Sequence, residues 1–173
     1  MAMRLPGRYM IDIKQVECPD EKTAITLRIM HSLPQWFSPP EDIDRKAVLH
    51  REMPFFAAYD GGKAIGFLAL KPHNAYTGDI FNVGVLEEYH RRGAGARLLA
   101  MAEEYLRARN YMYLTVKTLD ASADYEPYER ARQFYLKHGF VPLEVFTQHW
   151  NEENPCLFMV KPVETHGSAS KYA

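Results

Sequence analysis

Cysteine is nearly absent from this chain: only Cys18 and Cys156 occur, far apart and without metal-ligand spacing. That argues against a disulfide framework and a cysteine metal site, and for two reduced thiols in a cytoplasmic protein. Charge of one sign is lacking too, with 21 Lys and Arg against 22 Asp and Glu. No overall basicity therefore points to nucleic acid as a partner. Long apolar runs are missing; none approaches the roughly 20 residues of a membrane span. The opening MAMRLPGRYM carries no signal-peptide apolar core. Neither nucleic acid nor membrane is expected as a partner, and no repeat or low-complexity segment is visible.

What is present is globular material. The chain has 173 residues, 47% of them hydrophobic, enough for one sizeable core. We expect one domain over 1–163 and a frayed tail over 164–173. Alternation predicts a first strand from Tyr9 to Val16. Asp20 to His31 reads as a helix with Asp20 as its cap, and Glu41 to Arg51 as a second. Between them lies a proline-rich break, SLPQWFSPP, carrying Trp36 and Phe37. Pro54 to Tyr59 and Ala64 to Leu70, joined by Asp60-Gly61-Gly62-Lys63, read as a hairpin. Lys71 to Gly78 reads as a loop, Tyr111 to Leu119 as a strand, and Tyr128 to His138 as a helix closed by Gly139. Phe140 to Phe146 and Cys156 to Val160 are the last strands. The order βααββ, βαβ, αββ implies an α/β (mixed α+β) fold, a mixed sheet with helices on its faces.

The most informative stretch is Asp79 to Leu99. A β-branched strand runs through Ile80, Phe81, Val83 and Val85 into the turn Arg91-Arg92-Gly93-Ala94-Gly95, and then a helix with apolar Leu98, Leu99, Ala102, Tyr105 and Leu106 on one face. A glycine turn opening a helix leaves outward N–H groups. With the helix dipole and two arginines, these suit a diphosphate. The same residues begin a Gly-x-Gly-x-x-Gly dinucleotide fingerprint, but position 98 is Leu where that pattern needs Gly or Ala.

His90-Arg91-Arg92-Gly93-Ala94-Gly95 resembles the pyrophosphate loop of the GNAT superfamily of acyl-CoA N-acyltransferases. Ala131-Arg132-Gln133-Phe134-Tyr135-Leu136-Lys137-His138-Gly139-Phe140 resembles its later helix, ending Phe-Tyr-x-x-x-Gly-Phe. Two departures stand out. His90 replaces the usual Gln or Arg at a position contributing mainly backbone. Tyr128 replaces a common Asn.

The resemblance implies a GNAT-like fold with a central, mostly antiparallel sheet of six or seven strands. It implies acetyl transfer from acetyl-CoA to a primary amine, without metal. Arg91, Arg92, Gly93, Ala94, Gly95 and Ala96 would hold the diphosphate. The strand would splay from its neighbour near Gly84, leaving Val83, Gly84 and Val85 to pair with the thioester arm, with the Val85 N–H as oxyanion donor; read alone, Gly84 equally suits a bulge. Tyr135 would protonate the leaving thiolate. The base would be Asp79, water or His73, while His138 has a helix-dipole explanation. Trp36, Phe37, Tyr125 and Tyr128 would line the pocket of a small-molecule or peptide amine. Lys117 either meets an acidic acceptor group or snorkels from its strand. The turn Trp150 to Cys156 has no assigned role. The protein would be a monomer or homodimer, and an acyl-CoA-binding sensor without turnover is the competing reading.

Overall fold

The computed structural model describes residues 10–164. The expected strand start at Tyr9 and all of the expected tail beyond Glu164 lie outside them. In chain order the elements are β1 (Ile11–Gln15), α1 (Pro19–His31), α2 (Pro40–His50), β2 (Phe55–Asp60), β3 (Lys63–Pro72), β4 (Thr77–Val85), α3 (Ala94–Ala108), β5 (Tyr113–Leu119), α4 (Glu126–Lys137), β6 (Val141–Asn151) and β7 (Asn154–Pro162). They form a seven-stranded sheet in the order β1-β2-β3-β4-β5-β7-β6. Every pairing is antiparallel except β4 with β5. The expected mixed, mostly antiparallel sheet is therefore the one observed.

Strand alternation sends side chains to both faces. Phe55 and Phe67 stack 5.2 Å apart and meet His50 of α2, whereas the next residue, Phe56, meets Tyr105 of α3. Helices α1 and α2 thus pack together on one face and α3 on the other. The core runs through Ile29, Met30, Ile65, Leu68, Leu98 and Leu114, all essentially inaccessible.

Several local expectations are corrected. Cys18, not Asp20, is the N-cap of α1; Asp20 sits in the first turn and pairs with Arg51. The segment expected to be a loop over 71–78 is strand at both ends, with the loop confined to 73–76, because Lys71 and Pro72 pair with Asp79 and Gly78. The last hairpin turns tightly at 152–153, so Trp150 belongs to β6 rather than to a long turn.

Candidate active site

The parallel β4–β5 ladder runs only from Thr77↔Tyr113 to Ile80↔Val116, and the strands part beyond it. The splay thus begins at Phe81, not near Gly84. Phe81 is a bulge residue, standing unpaired between Ile80↔Leu70 and Asn82↔Ala69. A bulge bends its strand and raises its twist, which turns β4 away from β5. A cleft of about 1760 Å³ opens there, walled by β4, the ends of β5 and α4, the 33–38 segment and the start of α3.

The ladder with β3 fixes which backbone groups face the opening. The Leu86 N–H donates to the Ile65 carbonyl. Bonded pairs alternate in an antiparallel ladder, so Gly84 bonds Phe67 while Val83 and Val85 turn their polar groups toward the splay. The Val85 carbonyl is already taken by the His90 Nε2–H at 2.6 Å, and the His90 ring meets Trp36 edge-on. His90 thus also makes a side-chain contact, beside the backbone role expected of it. The Val85 N–H is left facing the cleft. A Cβ on Gly84 would press on Leu33, Ile29 and Phe37 at 3.3–3.4 Å, so this glycine also makes room for α1 and the loop after it.

The basic turn leads into α3. Gly93 caps the helix at φ +82°, a left-handed geometry that disfavours other residues, and a Cβ there would meet open space. The first intrahelical bond runs from the Arg97 N–H to the Gly93 carbonyl, leaving the amides of Ala94, Gly95 and Ala96 without intrahelical acceptors. Arg91 lies on the cleft wall with them. Arg92 instead stacks over the Tyr89 ring, 5.6 Å from its centroid. A Cβ on Gly95 would meet the Phe134 ring at 3.3 Å, so this glycine seats α4 against α3.

That contact explains much of the second motif. Phe134 docks on Gly95, and the Phe140 N–H donates to the Tyr135 carbonyl just past Gly139, itself at φ +88°. The Phe140 ring meets Tyr135 edge-on at 5.4 Å. His138 Nδ1 donates to the Phe134 carbonyl, a plain helix-end bond. Arg132 fastens α4 to the last carbonyl of β5, Leu119. All of this fixes Tyr135, whose ring is 5% exposed and whose hydroxyl has no hydrogen-bond partner among the described residues. Burial, with the nearby Tyr128 and Asp79, pushes its pKa well above the usual phenol range. Tyr135 therefore stays protonated at neutral pH.

Asp79 is buried, and its Oδ1 accepts from the Thr115 hydroxyl at 2.6 Å and from Lys117 at 3.4 Å. His73 Nε2 lies 3.9 Å away. Lys117 thus answers a carboxylate of its own chain, with its ammonium over the Phe158 ring. The aromatic wall is also internally committed. Trp36 Nε1–H donates to the Pro127 carbonyl, Tyr128 to the Trp36 carbonyl and Tyr125 to the Gln35 carbonyl. These bonds stitch the 33–38 segment to the start of α4, and burial pushes the Tyr128 hydroxyl up to about 12. Trp36, Phe37, Tyr125 and Tyr128 share the cleft with Asn82, a residue not singled out from the sequence.

Residues 21–140 match the Acetyltransferase (GNAT) family. The chain belongs to the GNAT acetyltransferase family. It is similar to the uncharacterized N-acetyltransferase YsnE of Bacillus subtilis (strain 168), with 29% identity over 135 residues, 76% of this chain and 85% of that one. A putative GNAT acetyltransferase from Desulfovibrio desulfuricans shares the fold at TM-score 0.76 and 18% identity, covering 89% of this chain and 99% of its own. An aminoglycoside 6'-N-acetyltransferase complexed with coenzyme A aligns at TM-score 0.69 and 15% identity, over 91% and 99%. The mostly antiparallel GNAT sheet also removes the dinucleotide reading, which needs a doubly wound parallel one.

Proposed function

We propose that this GNAT protein transfers an acetyl group from acetyl-CoA to a primary amine by direct attack within a ternary complex. One observation carries the reading: the splayed edge of β4, the free amides opening α3 and the unpartnered Tyr135 hydroxyl all line one cleft. The coenzyme A complex of the aminoglycoside acetyltransferase, which shares this fold, supports the choice of donor.

The residues divide the chemistry between them. Arg91 and the amides of Ala94, Gly95 and Ala96 offer a positive, donor-rich end that suits a diphosphate. Val83 and Val85 offer strand-like backbone groups to an extended arm. As the amine nitrogen attacks the thioester carbonyl, charge gathers on its oxygen, and the Val85 N–H is placed to stabilise it. The nitrogen's proton passes to His73, whose Nε2 lies 3.9 Å from the Asp79 carboxylate. The C–S bond breaks, and Tyr135 gives its proton to the departing sulfur. The products are an amide and free CoA thiol.

The test is a melting scan followed by a thiol assay. Acetyl-CoA at 100 times its dissociation constant should stabilise the fold by about 2.7 kcal/mol, and NAD should not. Thiol release on adding an amine library separates an enzyme from an inert acyl-CoA binder. A shift with NAD and none with acetyl-CoA would overturn the reading.

A further inference from the structure

Charge on the cleft wall is unevenly spent. Its carboxylates are Asp42, Asp79 and Glu129. Asp42 is held by Arg45 and Lys46, Asp79 by Lys117 and Thr115, and Glu129 by Arg132 and Gln133. No free carboxylate remains on the wall among the described residues. The cations are matched less completely. Lys46 and Lys117 serve those carboxylates, and Arg130 pairs with Glu126. Arg91 opens the α3 turn, and Lys137 lies one turn beyond Phe134 on α4. At the other end, on β3, Lys71 makes no ion pair among the described residues; its ammonium stands 5.5 Å from the Phe81 ring centroid.

Beside Phe81, Asn82 is held in one orientation from within the core. The Thr26 hydroxyl donates to His50 Nδ1 and the His50 Nε2–H donates to Asn82 Oδ1, each at 2.8 Å. Thr26 and His50 are fully buried. Because burial pushes the His50 pKa down to about 4, the ring stays neutral with one proton, already committed. With its oxygen engaged, Asn82 presents its amide N–H groups to the cleft, where they find no acceptor among the described residues.

We infer that the acceptor amine also carries a carboxylate, gripped by the Lys71 ammonium and the Asn82 amide N–H groups. A polycationic acceptor would need free anions on the wall, whereas a carboxylate finds an unpaired cation and a fixed donor. Thr26 and His50 are positioning residues that act through Asn82. The inference rests on the acetyl-transfer reading.

The experiment compares matched acceptors in protein first shown to be stabilised by acetyl-CoA. α-Amino acids, their carboxamides, spermidine and kanamycin are assayed by thiol release. The acids should exceed their carboxamides by more than tenfold in kcat/KM. Lys71→Glu, an exposed and foldable change, should raise KM for the acids by tenfold or more. It should leave KM for acetyl-CoA unaltered. Asn82→Ala should act in the same direction. Carboxamides or polyamines turned over as well as the acids overturn the inference, as does no transfer to any carboxylate-bearing amine. In both cases the acetyl-CoA shift leaves the transferase reading standing. Loss of that shift overturns the transferase reading and this inference with it.

Discussion

At the scale of the residue, Tyr135 shows why a motif is more informative than its letters. Its ring is locked by Phe140, its helix by the Phe134–Gly95 contact, and its hydroxyl is left without a partner among the described residues. Tyr135→Phe keeps the ring and removes the proton. Turnover should fall by about 100-fold, the usual contribution of a positioned acid. The acetyl-CoA dissociation constant should move by less than about threefold, because the lost interaction belongs to the transition state. Steady-state kinetics with calorimetry on both proteins decides it, and unchanged turnover would remove Tyr135 from the mechanism. Residues of this kind were legible because the spacing of Phe134, Tyr135, Gly139 and Phe140 lies within one helix and its end. Asn82 was not. Its orientation depends on Thr26 and His50, which reach it from two other elements, His50 standing 32 positions before Asn82 in the chain. A weak trace did exist: Ile43, Ala47 and His50 recur on one buried face of α2, a stripe in which a histidine must find partners. The commitments of Trp36, Tyr125 and Tyr128 to carbonyls were equally hidden, since carbonyl positions leave no mark in side-chain identity.

Elements were easier to see than their ends. The Gly61-Gly62 hairpin and the Gly139 stop are printed in local turn chemistry, and their register followed. The bulge at Phe81 has no such signature, so the site of strand separation was misplaced by several residues. The edge strand β6 runs on to Asn151 with its side chains exposed almost throughout, where no buried alternation marks it. The α3 terminus offers the sharpest element-level test. Gly95→Asp drives a side chain toward Phe134 and sets a negative charge among the amides that open the helix. CoA affinity should drop by more than tenfold, about 1.4 kcal/mol, with circular dichroism unchanged. Normal CoA binding in a titration would place the diphosphate elsewhere.

At the scale of the molecule, His50 ties α1, α2 and β4 into one acid-sensitive unit. Burial is the main cause of its depressed pKa; the Asn82 bond opposes it and the Lys46 charge adds to it. The folded value of about 4 lies below the ordinary 6.5. Between those values the unfolded chain takes up a proton that the native state refuses. Stability is therefore full above pH 6.5 and falls as pH drops toward 4, by about 3 kcal/mol in all. Urea midpoints at pH 7 and pH 5 should show about 2 kcal/mol of this loss in the parent protein and a flatter response in His50→Gln. An identical pH response in both proteins would assign the acid limb to other groups.

The parted strands also make the sheet a lever. The four residues from Thr77 to Ile80 that pair with β5 form a short fulcrum, and Phe81 to Val85, held by β3 alone, form the arm. At about 3.3 Å per residue the arm is roughly 16 Å long, so a tilt of about 4° at the fulcrum moves its tip by about 1 Å. A misplacement of that size can cost about 100-fold in rate. The fulcrum is correspondingly tight: the Thr115 hydroxyl grips Asp79, and a Cβ on Gly78 would strike Leu106 of α3 at 2.8 Å. Leverage of this kind gives side chains that never touch the cleft a mechanical hold on the reaction inside it.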